Sequence, residues 1–336
     1  MRPLSRTDSI ELLFNRIFGS KHECSEQVKE VSEEIIKKCG GLPLAVICIA
    51  SILVSQPANS ELWQHVSEWL SGSMRNNHTS QGMLREIVAM SYNNLPDHLK
   101  TCLLYLSMYP EGYTFLKTDL VKQWMAEGFI STVHENASKV AESYFDELVC
   151  RGLIQPNHIN FSDTMVSYTV HSCMFEVIRF KSIEENFIIL IDYSNTIPEL
   201  SAKVRRLSLR YSNAKYATKP EGIMLSPVRS LIFYGLVECL PSIMEFEVLR
   251  VLILEIWGDQ EELDFSGIDR LFQLRYVQIT TDIVVKLPAK MSGLQYLETL
   301  EIYARVSIVP SDIVHLPKLL HFHIQGERSY LILLAT

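Results

Sequence analysis

The chain contains no cysteine pair at C-x-x-C spacing. Its seven cysteines stand apart at 24, 39, 48, 102, 150, 173 and 239 of 336 residues, too sparse to frame a fold with disulfides. Reduced, mostly buried thiols in a cytoplasmic protein are therefore expected. No apolar run reaches the roughly 18 to 20 residues of a membrane span. The longest candidate, Leu42 to Val54, has the length of a core helix and carries Ser51. The opening MRPLSRTDS has no apolar stretch of the kind that directs secretion. Positive charge is in deficit, with 31 Lys and Arg against 39 Asp and Glu and a net charge of -8, so the chain as a whole is a poor fit for nucleic-acid phosphates or anionic lipid. G-x-S-x-G, H-E-x-x-H and a Cys-His constellation are also absent, and no enzyme is expected. There is no G-x-x-x-x-G-K-[ST] and not even one Gly-Lys dipeptide, so the commonest phosphate cradle is missing.

What is present is apolar residues, 47% of the chain, in a length that accommodates two or three domains. Between Ser25 and Lys38, Val28, Val31 and Ile35 recur at three- and four-residue steps, which predicts a one-sided helix stopped by Gly40. Pro43 sits where a second helix starts, because its missing amide has no intrahelical partner there. The residues that follow, Leu44 to Val54, are apolar all round and belong in a bundle centre. The polar stretch Ser71 to Ser80 reads as a loop.

The next segment predicts a helix over Asp97 to Met108 closed by Pro110 and Gly112. A second follows, capped by Thr118 and ended by Gly128, and then a third through Val140, Tyr144 and Leu148 up to Gly152. Strands over Leu153 to Phe161 and Met165 to His171, joined at Ser162-Asp163-Thr164, complete a winged-helix pattern. A winged helix can read DNA, but Lys139 to Arg151 carries two bases against three acids, so no nucleic-acid partner is expected.

From Val204 a repeat sets in. VRRLSL, VRSLIF, LRVLIL, LRYVQI, LETLEI and LLHFHI begin at 204, 228, 249, 274, 297 and 319, intervals of 24, 21, 25, 23 and 22 residues. Each is one strand of a parallel sheet, with apolar residues inward and Arg206, Ser208 and Glu301 expected on a solvent-facing concave side. His321 and His323 share a strand face, but with no third ligand nearby they are expected as solvent-facing repeat residues and no metal site is assigned.

Three motifs carry a resemblance. KKCGGLPLAV (Lys37 to Val46) resembles the GLPL motif of the NB-ARC module. SYNNLPDHLKTCLLYLSMYPEGY (Ser91 to Tyr113) running into LVKQWMAEGFI (Leu120 to Ile130) resembles the winged helix of the same family. YTVHSCMFEVI (Tyr168 to Ile178) stands where that family has Met-His-Asp or Val-His-Asp. In order and spacing the chain is similar to plant nucleotide-binding leucine-rich-repeat disease-resistance proteins of the coiled-coil class. The resemblance implies a multidomain α+β chain: a helical part of the NB-ARC module over 1–90, a winged helix over 91–180, a linker over 181–203, and a leucine-rich-repeat α/β solenoid over 204–336.

By the same resemblance Pro43 and Leu44 contact the adenine of ADP or ATP, and His171 reaches the ADP β-phosphate. Ser172 replaces the family's switch Asp. Without the phosphate loop, ADP binding is expected to be weak or absent. FIILID (Phe187 to Asp192) lies on the wrong side of GLPL to be the family's magnesium strand and is expected as an ordinary buried strand or helix. The implied function is that of an intracellular immune receptor whose repeats meet protein partners, a pathogen effector or a host guard protein, with oligomerisation open to the intact family. The alternative is a nucleotide-independent leucine-rich-repeat interaction module. Both ends are expected to be cut, the N-terminal one just ahead of GLPL.

Overall fold

The computed structural model describes residues 3–19, 25–76, 79–131, 136–157, 166–192, 205–211, 224–326 and 329–334. The chain divides into two compact units, 1–117 with 139–181, and 118–138 with 182–336.

The first unit opens with α1 (Arg6–Phe18), α2 (Glu26–Cys39) and α3 (Pro43–Leu53). Ser5 caps α1 by accepting from the Asp8 amide at 3.1 Å, and Ser25 caps α2 by accepting from Val28 at 3.3 Å. Gly40, left-handed at φ 61°, ends α2 behind Lys37 and Lys38. Pro43 starts α3 as its first residue, and α3 is buried on nearly every side. Next come α4 (Ser60–Asn76) and α5 (Ser80–Asn93), with α5 capped by Thr79. The expected loop from Ser71 is thus helical as far as Asn76. The reason is a continuing stripe of Trp63, Val66, Leu70 and Ser73: all four are buried, and Ser73 hydrogen-bonds Glu86 of α5. Fully burying each large side chain of such a stripe contributes about 1.5–3 kcal/mol, more than polar helix residues cost.

α6 (Asp97–Tyr105), extended by a 3-10 turn over Leu106–Met108, leads to β1 (Phe115–Leu116). The chain continues through α7 (Lys117–Glu127), α8 (Ala137–Cys150), β2 (Gln155–Asn157), β3 (Ser167–Thr169) and α9 (Ser172–Glu184). Thr118, expected as a cap, lies inside α7 because Lys117 already begins the helix. Of the two expected wing strands, the first begins at Gln155 rather than Leu153 and the second ends at Thr169 rather than His171, and β1 joins them in an antiparallel sheet ordered β1-β3-β2. The expected turn Ser162-Asp163-Thr164 lies outside the described residues. Gly152 follows α8 at φ 72°, and a Cβ there would strike Ile47 of α3, so both conformation and space demand glycine.

The second unit is built on one sheet. β4 (Ile189–Asp192), β5 (Arg206–Tyr211), β6 (Ser230–Leu236), β7 (Val251–Trp257), β9 (Tyr276–Thr281), β11 (Thr299–Tyr303) and β12 (His321–Gly326) lie side by side in parallel, and β13 (Ser329–Leu334) pairs antiparallel with β12. A second parallel pair, β8 (Glu262–Asp264) with β10 (Val284–Lys286), sits in the returns. Arg206, Ser230, Val251, Tyr276, Thr299 and His321 occupy one rung, each two residues after the start of its repeat. FIILID supplies β4, a strand at the end of the sheet; Ile188 and Ile191 of this stretch are buried and its other residues only half-buried. Val204 lies outside the described residues. Leu207, Leu231, Leu252, Val277, Leu300 and Phe322 point from successive strands into one apolar core.

The expected solvent-facing side is corrected at three positions. Ser208 is 0% and Glu301 5% exposed, and the Arg206 side chain retains only 12%. Alternation identifies the face of the sheet correctly, but α7, from Thr118 onward part of this unit, lies over it.

Candidate functional site

The GLPL turn is built from two left-handed glycines, Gly40 and Gly41 at φ 61° and 70°. The Gly41 carbonyl accepts from Leu4 at 2.8 Å, and a Cβ on Gly41 would stand 2.6 Å from the Leu4 carbonyl oxygen. The approach to α1 is therefore locked against the start of α3. Pro43 is half-buried on this turn, while Leu44 is 6% exposed and turned into the core. A cavity of about 710 Å³ opens beside the turn, lined by Leu4, Arg6, Ser9, Glu33, Gly40 and Gly41 among others. Arg6 and Glu33 pair at its edge at 2.6 Å, and the buried Ser9 hydroxyl has no hydrogen-bond partner among the described residues.

His171 ends the wing and begins α9. Its carbonyl accepts from Phe175 at 2.8 Å, and its Nδ1 accepts from the Cys173 amide at 3.2 Å, so the imidazole caps the helix. Burial lowers its pKa. A neutral ring that accepts at Nδ1 carries its proton on Nε2, which leaves one N–H to donate. Ser172 is exposed in the first turn of α9, and Glu176 of that helix pairs with Arg85 of α5 at 2.8 Å.

Both halves lie in the first unit. Ser51 of α3 shares a 2.9 Å hydrogen bond with Ser91 of α5. The GLPL helix and the His171 helix are each tied to α5, α3 through Ser51 and α9 through the Glu176–Arg85 pair. Among the described residues no hydrogen bond or ring contact joins Pro43 or Leu44 to His171 directly, and no cluster of three metal-ligating side chains is found. No helix among the described residues is long and apolar enough to cross a membrane.

Comparison with known proteins bears on the same elements. Residues 108–178 match the disease-resistance-protein winged-helix domain, and residues 227–332 match a leucine-rich repeat region. Disease resistance protein RGA5 of rice (Oryza sativa subsp. japonica) is 51% identical over 97% of this chain. The chain belongs to the plant disease-resistance proteins. Disease resistance protein Pik-2 of rice is 35% identical over 93% of it, and a putative late blight resistance protein homolog, R1B-16, of Solanum demissum 28% over 98%. The chain spans about 30% of the length of these relatives: 30%, 31% and 26% in turn.

In this disease-resistance chain, sequence reading missed the groups that α7 presents to the repeat sheet. Glu127, whose side chain is 0% exposed, accepts from Arg206 through both oxygens at 3.2 Å and from the Ser230 hydroxyl. Its main-chain carbonyl accepts from Arg250 at 3.2 Å. The Arg206 guanidinium lies 4.9 Å from the Phe129 ring and 4.1 Å from the Phe187 ring, held between two aromatic faces. A turn and a half earlier, Lys122 donates to Glu301 at 2.8 Å and stands 3.9 Å from Asp119. The Tyr276 hydroxyl lies 3.4 Å from the second Glu301 oxygen. Burial, then the charge of Glu301, raises the Asp119 pKa to about 6. The sequence held a signal for Glu127: it continues the buried stripe Leu120, Val121, Trp124 at a three-residue step. A carboxylate on such a stripe requires a cation.

Proposed function

We propose that this chain is the lid-and-reader portion of a nucleotide-controlled plant immune receptor, acting in the cytoplasm, with a helical part over 1–90, a winged helix over 91–180, a linker over 181–203 and a leucine-rich-repeat solenoid over 204–336. In this reading Pro43 presents the apolar wall for an adenine with the buried Leu44 packed behind it, and His171 donates from Nε2 to a terminal phosphate of ADP. Ser172, where the family has an acid, weakens the closed state. The repeats meet protein partners, a pathogen effector or a host guard protein.

The observation that carries the reading is the His171 cap: a neutral, half-buried imidazole with one nitrogen spent on its own helix and the other left as a donor. The residues present fit one side of a nucleotide site. Pro43 keeps exposed surface, and α3 and α9 are both joined to α5. The Gly-Lys phosphate loop is not among them. The chain by itself therefore binds ADP weakly or not at all and hydrolyses no ATP. Calorimetry separates the readings. Joined behind a phosphate-binding core of the G-x-x-x-x-G-K-[ST] type, the chain gains ADP affinity that His171→Ala lowers about tenfold, the loss of one charge-assisted hydrogen bond. A nucleotide-independent interaction module shows no dependence on His171, and sub-micromolar ADP binding by the chain alone overturns the proposal.

A further inference from the structure

Four arginines recur at one position of four successive repeats. Arg205, Arg229, Arg250 and Arg275 each stand one residue before their strand begins. Their main chains bond rung to rung: Arg229 donates to the Arg205 carbonyl at 2.7 Å, Arg250 to Arg229 at 2.7 Å and Arg275 to Arg250 at 2.8 Å. Their α-carbons thus follow the strand spacing of about 4.8 Å. Burial and the flanking charges of Arg229 and Arg275 push the Arg250 pKa down, so the charges of these three neighbours act on one another.

Like charges held this close oppose folding unless something offsets them. Within the unit the offset is partial. Arg275 approaches Glu298 at 3.9 Å, and Arg250 spends a donor on the Glu127 carbonyl. Among the described residues no ion pair involves Arg205 or Arg229; the first is exposed and the second half-buried. A strip of positive charge thus persists in a chain of net charge -8.

The groups that already meet the strip are a peptide carbonyl and a carboxylate, which are protein chemistry. A nucleic acid, with a charge about every 1.7 Å of duplex, would extend far past the strip along a chain of net charge -8. A short acidic peptide ends where the arginines end.

We propose that the arginine strip formed by Arg205, Arg229, Arg250 and Arg275 at the entrance to β5, β6, β7 and β9 is a docking surface for an acidic segment of a partner protein. This deepens the reading of the repeats as partner-binding by naming the place and the chemistry, and it is independent of any nucleotide.

The test is fluorescence anisotropy of the full chain with a labelled peptide of alternating glutamate and alanine at low salt. The expected result is saturable binding that weakens as salt rises, weakens about tenfold or more in Arg205→Glu/Arg229→Glu, and is largely kept in Arg229→Lys. Arg206 and Arg250 are left intact so that the hold on α7 persists, and the milder Arg229→Gln should show an intermediate loss should the double variant misfold. The proposal is overturned if the double variant, folded by its circular dichroism melt, binds like the parent. Equal or tighter binding of a single-stranded oligonucleotide of the same charge overturns it too. Either failure leaves the ADP calorimetry untouched, so the strip and the nucleotide reading stand or fall separately.

Discussion

At the scale of single residues, the side chains that decide most are ionised groups taken out of water. Glu127 is fully enclosed, and truncating it leaves Arg206 between two rings without its counter-charge. Glu127→Ala should destabilise the second unit by about 3–5 kcal/mol, the cost of breaking one side of a buried pair, read by chemical denaturation. Asp119 works in the opposite direction. Its folded pKa of about 6 lies above the ordinary 3.8, so the folded chain holds this proton more tightly than the unfolded one. The ionised carboxylate therefore costs stability above about pH 6, and the cost fades as pH falls towards 3.8. Asp119→Asn should raise stability at neutral pH by roughly 1–3 kcal/mol and change little at the acid end of that window, where Glu301, Lys122 and Thr118 face an already neutral group. A variant as unstable as the parent at neutral pH would contradict this. His171 carries the reverse dependence: its pKa is lowered on folding, so its contribution declines as pH drops below the ordinary histidine value.

At the scale of elements, helices and strands follow local patterns, and their junctions follow contacts that no window of sequence contains. The caps at Ser25 and Gly40 and the Pro43 start were legible because each satisfies a backbone group within a few residues. The tail of α4 was not, because Ser73 earns its place only through Glu86 on another helix. Gly152 marks such a junction between α8 and α3. Gly152→Ala meets both a left-handed backbone and Ile47, and should lower the melting temperature by several degrees, with partial recovery when Ile47→Val makes room. On the repeat sheet, alternation showed which residues share a face, but not that α7 covers it, so Ser208 and Glu301 were misassigned. Motif marks Pro43 and His171 only by resemblance, whereas the links of their helices to α5, Ser51 to Ser91 and Glu176 to Arg85, join residues far apart in the sequence.

At the scale of the whole molecule, the thiols report on each unit separately. Cys39, Cys48, Cys102 and Cys239 are buried, and burial pushes Cys39 and Cys48 up to about 12, whereas Cys150 is exposed. Among these positions, peptide-level alkylation should modify Cys150 first. Cys39, Cys48 and Cys102 should follow only as the first unit opens, and Cys239 as the second does; early modification of Cys48 would contradict the packing of α3. The register of the large sheet has a different kind of consequence. Every rung falls on the same repeat position although the intervals run from 21 to 25 residues, so all variation in length is absorbed by the return segments. Insertions and deletions on the back can thus accumulate without displacing the row of side chains on the front. A lineage is free to remodel one side of such an array while the alignment of the other stays unbroken, and a unit exchanged between relatives of unequal length should still fall into step with its neighbours.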